Sequence, residues 1–199
     1  MCNIRVFALA LALLPAAALA GPGPKQLIED KNKAIHEVIQ ASPDDAALRP
    51  KIVDLMETFV DYGELARLTI KDQWEALAPE KRTEFVDAFK RLIHRTYTRR
   101  FKANQAFRVD FAGEPVMREG KAQVKTTIHS GKTTADVYYS MFKPDGKDDW
   151  WVYDLVIDDV SLMRNYRTQF TRVLKKDGFD KLLERIRAKA ESNDEDDDI

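Results

Sequence analysis

The sequence has one cysteine, Cys2, and three histidines among 199 residues. A single thiol excludes a disulfide framework and any zinc site built on several cysteines. His36, His94 and His129 stand far apart and fall on a helix, a helix and a strand pattern, so no local metal-ligand spacing exists. The chain has no G-x-S-x-G, H-E-x-x-H, P-loop, G-x-G-x-x-G or D-x-D-x-D-G calcium loop, which removes the common signatures of nucleophilic, zinc, nucleotide and calcium chemistry. It lacks an apolar run of about 18 residues or more, the length a membrane-spanning helix needs. Nor is one sign of charge in excess: 32 basic residues meet 33 acidic ones, and with no recognised binding motif nucleic acid is not an expected partner.

What is present begins with an address. Residues 1–20 carry Arg5, a nine-residue apolar run over 6–14, then Pro15 and small residues ending Ala18-Leu19-Ala20. This reads as a secretory signal cleaved after Ala20, which removes Cys2 and exports the mature chain. Six acids, Glu191, Asp194, Glu195, Asp196, Asp197 and Asp198, make 191–199 a solvated, disordered acidic tail. Between them, 21–190 is expected to form one domain, with 31 basic against 27 acidic residues. So small a surplus leaves room only for a local basic patch.

Apolar positions recur at helical spacing over 24–41. Ser42-Pro43-Asp44-Asp45 then opens a second helix with Ser42 as N-cap and Pro43 at its first position, and Pro50 kinks or divides it. Two further helical pieces cover 61–70 and 71–77. The strongest signal is 79–101, where Phe85, Phe89, Leu92, Ile93, Tyr97 and Phe101 form one apolar stripe.

The period changes near residue 107. Phe107, Val109 and Phe111 alternate with polar residues, as do Val124, Thr126 and Ile128, then Val137, Tyr139 and Met141. The strand 150–157 has a wholly apolar side, Trp151, Tyr153, Leu155 and Ile157, expected inward. Helix returns over 161–177, breaks at Gly178 and resumes over 180–190. The fold class is α+β: helices packed on a curved antiparallel sheet of about four strands.

Asp154 and Tyr153 are the best candidates for catalysis, since a carboxylate and a phenol in an apolar cavity can act as base and oxyanion donor. Strand parity sets them on opposite faces, which favours a surface or capping role for Asp154. No catalytic residue and no metal ligand is assigned. A curved sheet capped by helices can instead enclose a cavity for an apolar ligand.

Two stretches carry more than periodicity. The run from Val152-Tyr153-Asp154-Leu155-Val156-Ile157-Asp158-Asp159-Val160-Ser161-Leu162-Met163 to Arg164-Asn165-Tyr166-Arg167-Thr168-Gln169-Phe170 resembles the signature of the MlaC family, periplasmic phospholipid-binding components of the Mla system, also called toluene-tolerance auxiliary proteins. Trp74, Pro79-Glu80, Phe85-Val86, Phe89, Leu92 and Thr96-Tyr97 resemble it too. The sequence departs where Asp159 replaces a usual Gly, where Ala78 replaces a common capping Ser, and near Lys71, where a common Gly is missing.

The resemblance implies a nuclear-transport-factor-like sheet and an internal apolar cavity that holds the acyl chains of a phospholipid cargo, with no cofactor. It also implies two partners: an outer-membrane lipoprotein and porin complex, and an inner-membrane ABC transporter complex with a mammalian-cell-entry domain. Between them the carrier would maintain outer-membrane lipid asymmetry. At about 0.8 kcal/mol per methylene, roughly thirty methylenes cost on the order of 24 kcal/mol in water, so the tails must be sheltered. Inward parity lines that shelter with Phe85, Phe89, Leu92, Val109, Val124, Ile128, Val137, Tyr139, Met141, Trp151, Tyr153 and Leu155. Tyr166 and Arg167 are candidate anchors at the mouth; alternatively, Asn165 and Arg167 brace the helix start against the sheet. Arg91, Arg95, Arg99, Arg164, Arg172 and Lys175 either meet acidic partner surfaces or form a solvated face. Two rival functions are a cavity-containing isomerase or hydratase and an envelope chaperone or adaptor. With no heptad seam or long unpaired edge, a monomer is expected.

Overall fold

The computed structural model describes residues 21–192. The expected leader, 1–20, and the acidic tail from residue 193 onward lie outside the described residues.

Helix α1, Pro24–Ala41, starts with proline where its missing N–H costs nothing, and buries Ile28 and Ile39. The Ser42 hydroxyl donates back to the Val38 carbonyl at 2.7 Å, so this serine closes α1 rather than opening the next helix. Asp44 is the actual N-cap of α2, Asp45–Glu57, its carboxylate accepting from the Ala47 N–H at 2.8 Å. Pro50 lies inside α2 without dividing it, and Leu48, Ile52 and Met56 form its buried face. Asp61 caps α3, Tyr62–Thr69, in the same manner through the Glu64 N–H. One turn, α4, Lys71–Trp74, leads to the long α5, Pro79–Thr98, whose N-cap Ala78 makes no side-chain bond.

The sheet is antiparallel throughout. Its strands are β1 (Arg108–Phe111), β2 (Val116–Arg118), β3 (Lys121–Ser130), β4 (Thr133–Phe142), β5 (Trp151–Ile157) and β6 (Val160–Ser161). The order is β1-β3-β4-β5-β6, with β2 also paired to β3. Four of these match the expected strands; β2 and β6 are additional short ones. On the inner face Val124 pairs with Tyr139, Thr126 with Val137 and Ala122 with Met141, and all six side chains are buried. The other face carries Lys125, Thr127, Asp136 and Tyr138, with a 2.8 Å ion pair between Lys125 and Asp136.

A register shift between Ser140 and Met141 interrupts the β4–β5 ladder: Met141 pairs with Val152 but Ser140 with Asp154, so Tyr153 has no opposite residue. This β-bulge inverts the alternation of β5 midway. Leu155 and Ile157 pair with the inward Tyr139 and Val137. Trp151 pairs with Phe142 one step before the bulge and lies with it on the outer side. Continuous alternation puts Trp151 inward, and the bulge corrects that; Tyr153, the bulged residue itself, still reaches the inner side. Beyond the strand, the β5–β6 turn uses Asp158 and Asp159, both left-handed with φ of 47° and 66°. That is the two-residue hairpin geometry glycine adopts most freely, here taken up by two aspartates.

Helix α6, Leu162–Glu191, contains the expected break at Gly178, where φ is 82° and ψ is 179°. Glu191 closes it, so the first acid assigned to the tail is helical. Among the described residues no helix is long and apolar enough to cross a membrane.

Candidate functional site

Helix α5 turns two apolar faces to two different neighbours. Phe85, Phe89 and Leu92, spaced four and three residues apart, are fully buried. Phe89 meets Tyr166 and Phe170 edge-on at ring separations of 4.9 and 5.2 Å, and Phe85 meets Phe170 and Phe179 at 5.7 and 5.9 Å. These rings fill the space between α5 and α6 in the tilted geometry that aromatic quadrupoles favour. Phe85, Phe89 and Leu92, expected to line a cavity, are therefore part of a solid aromatic core.

One residue further round, Ile93 and Tyr97, with Phe101 beyond the helix end, face a hollow of about 320 Å³. Its helical walls are Ile35 of α1, Met56 of α2, Leu65 of α3 and Leu162 of α6, with Phe59 and Val60 from the α2–α3 connection. The sheet supplies Ile128, Ala135, Val137, Tyr139, Val152, Leu155 and Ile157. The volume is at the lower end of small-ligand cavities, and the lining is nearly all hydrocarbon.

Ile128, Val137, Tyr139, Tyr153 and Leu155 are the sequence-predicted residues that reach this hollow. Tyr153 also borders an outer groove beside Ser140, and its ring meets Phe142 at 5.6 Å. Val124 and Met141 share the inner face of the sheet but are enclosed in the core away from the hollow. Val109 pairs with Ile128 and is half-buried, outside the lining. Trp151 stands on the outer side with Lys147 over its ring at 5.1 Å.

The proposed mouth residues are elsewhere. Tyr166 is 1% exposed, within the aromatic core. The Arg167 guanidinium donates through both Nε, at 2.9 Å, and Nη2 to the Leu68 carbonyl near the end of α3. Arg167 thus braces α6 against α3, close to the alternative reading of that motif, though its anchor is a helix rather than the sheet.

A second chamber of about 340 Å³ adjoins the first and shares Ile35, Arg100, Phe101, Ile128 and Tyr139 with it. Its own lining adds Asn32, Ile39, Gln105, Phe107, Ser130 and Thr133, so it is the more polar of the two. Arg100 and Thr133 are exposed, which puts the opening at the β3–β4 hairpin end. Burial raises the Tyr139 hydroxyl above the usual tyrosine range, an effect partly offset by Thr126 and Asn32. Ile35 and Phe101 appeared in the helical patterns; Arg100 and Asn32 carried no signal beyond being polar residues near an apolar stripe.

Asp154 also borders the first chamber, but its carboxylate is engaged. One oxygen accepts from the Ser161 hydroxyl at 2.7 Å and the other from the Met163 N–H at 2.9 Å, while Ser161 caps α6 through the Arg164 N–H. Burial raises its pKa, and the bonds from Met163 and Ser161 oppose that rise. This is a helix-start clamp that ties β5 to α6. The histidines lie apart: His94 Nε2 is 3.0 Å from the Tyr62 hydroxyl, His129 contacts Asp110 and Thr134, and His36 packs on Phe107. Of the basic candidates, Arg91, Arg164, Arg172 and Lys175 are exposed, and Arg95 donates to the Ser192 carbonyl at 2.7 Å.

Comparison with known proteins agrees with this architecture. A phospholipid-binding protein from Ralstonia solanacearum, solved in complex with a phospholipid, superposes with a TM-score of 0.73 at 20% identity, covering 82% of this chain and 94% of that one. No curated protein sequence matches. A family model described as MlaC protein matches residues 27–188, most of the described chain, and the protein belongs to the MlaC family.

Proposed function

We propose that the protein is a periplasmic phospholipid carrier rather than an enzyme. It takes acyl chains into the hollow between α5 and the sheet and moves the lipid between an outer-membrane lipoprotein and porin complex and an inner-membrane ABC transporter complex with a mammalian-cell-entry domain. This traffic maintains outer-membrane lipid asymmetry. The observation that carries the reading is the hollow itself, an apolar chamber beside a fully packed core. Membership of the family and the phospholipid-bound Ralstonia solanacearum structure support the class of cargo. Transfer out of a bilayer approaches balance because walls such as Ile93, Val137 and Leu155 replace hydrocarbon surroundings with hydrocarbon.

The isomerase or hydratase alternative would need a carboxylate available to substrate, and both oxygens of Asp154 already accept hydrogen bonds. Solvent extraction and mass spectrometry of the purified protein test the proposal. About one phospholipid per chain is expected; copurified peptide, or failure to acquire lipid from phospholipid vesicles, overturns it.

A further inference from the structure

The described residues end at Ser192, and five of the seven that follow, Asp194, Glu195, Asp196, Asp197 and Asp198, are acidic. We infer that the segment 193–199 docks on an arginine face of α5 in the same molecule and shields that face from anionic lipid bilayers. Such docking is independent of what the hollow holds.

Beyond the break at Gly178, α6 runs beside α5 in the same direction. Lys81 meets Asp180 at 3.2 Å, Arg187 meets Glu84 at 3.2 Å, and Arg95 Nε donates to the Ser192 carbonyl at 2.7 Å. Steps of three, four and seven residues put Lys81, Glu84, Arg91, Arg95 and Arg99 on one face of α5 and its C-cap. The second half of α6 therefore follows this face as far as Arg95 and releases the chain there. Arg91 and Arg99 each lie one turn from that point, about 6 Å along the axis. Seven residues extend to at most about 25 Å, so the acids can reach both.

Charge complementarity names the occupant. Three guanidinium groups on successive turns repel one another, and carboxylates spread along an adjoining segment relieve that repulsion. The relief draws on the sign of charge, not on any arginine lacking a partner. Attachment at Ser192 makes the encounter intramolecular, with an effective concentration on the order of millimolar. An anionic bilayer is the competitor with the same chemistry, since its surface potential attracts arginine side chains. Exposed ion pairs contribute little singly, and the Debye length falls from about 30 Å at 0.01 M salt to about 3 Å at 1 M, so the docking is salt-sensitive.

A nitroxide on Ile199→Cys, in a Cys2→Ser background of the full chain, reads the docking through line broadening of the α5 amides from Arg91 to Arg99. Broadening should be strong at about 0.01 M salt and should weaken at about 1 M, or when Asp194→Asn, Glu195→Gln, Asp196→Asn, Asp197→Asn and Asp198→Asn are combined. Broadening indifferent to both changes is what attachment at Ser192 alone produces, and it overturns the docking. Broadening that grows with protein concentration assigns the segment to a second copy and overturns it as well. Sedimentation with phosphatidylglycerol vesicles reads the shielding. Arg91→Gln with Arg99→Gln should lower vesicle binding roughly tenfold in the neutralised chain, yet less than about twofold when the acids are present. Equal factors in the two backgrounds would mean that the acids act only through net charge, which ends the shield. Melting temperatures accompany each variant, and if the double substitution does not fold, Arg91→Gln at its exposed position decides.

Discussion

The two faces of α5 are made of similar side chains and do opposite things. Phe85, Phe89 and Leu92 meet rings from α6 and leave no space, while Ile93 and Tyr97, with Phe101 beyond the helix end, meet a curved sheet and leave a chamber of about 320 Å³. What differs is the shape of the partner. A helix that presents aromatic rings can fill the space edge to face, but a sheet that presents Ala135, Val137 and Ile157 leaves it open. Hollowness is a property of the pair of surfaces, not of either sequence stretch.

The strongest way to break the contrast is to hollow out the solid side. Phe89→Ala should cost about 3–5 kcal/mol, because the ring contacts both Tyr166 and Phe170 and the rigid surroundings cannot collapse into the space. Denaturant unfolding with an unchanged slope measures it, and a cost below about 1 kcal/mol would show that this side is not the close-packed one. The converse change fills the hollow. Ala135→Phe should fold with less than the ~1–3 kcal/mol penalty of overpacking, since space exists, yet lose most of its bound lipid on extraction. Full lipid occupancy in this variant would place the cargo elsewhere.

Ala78→Ser acts on both faces equally. The N-cap of α5 makes no side-chain bond, and a serine hydroxyl there should add about 1 kcal/mol while leaving lipid content as it is. A fall in lipid content would mean that movement of α5 accompanies loading. The smallest effect is one of shape. Burial raises the Asp154 pKa above its ordinary value of 3.8, so the folded chain binds that proton more tightly than the unfolded chain. This group's contribution therefore declines as pH rises from about 3.8 through the raised value and is constant above it. Asp154→Asn should flatten that part of the stability curve, as read by melting temperature against pH; an unaltered curve would remove Asp154 as its cause.

Much of the architecture was legible because it depends on period. The switch near residue 107, the break at Gly178 and the long helix all follow from which positions are apolar, and those positions lie where periodicity put them. Parity failed at β5 because the bulge at Tyr153 depends on how β4 and β5 pair, which alternation within one strand does not record. Strand β2 escaped notice because three residues between Pro115 and Glu119-Gly120 are too few to set a pattern. The second-helix cap moved from Ser42 to Asp44 because Ser42 is engaged with α1. Core and cavity could not be told apart for the reason α5 illustrates: a phenyl ring against rings and an isoleucine against empty space obey the same heptad-like spacing. Arg167 shows the opposite case, a polar residue whose distinctive motif suggested a ligand but whose guanidinium holds Leu68.

The α2–α3 connection also bears on the border of the sheet. Val60 forms a parallel bridge to Val152, with the Asp61 N–H donating to the Val152 carbonyl and the Val152 N–H to Phe59, each at 2.8 Å. Further along, β6 covers Val156 and Ile157. The outer border of β5 is thus occupied at both ends by the chain's own backbone, and it offers a second molecule little to zip onto. The border along which a neighbouring strand would add itself is already hemmed by the same polypeptide.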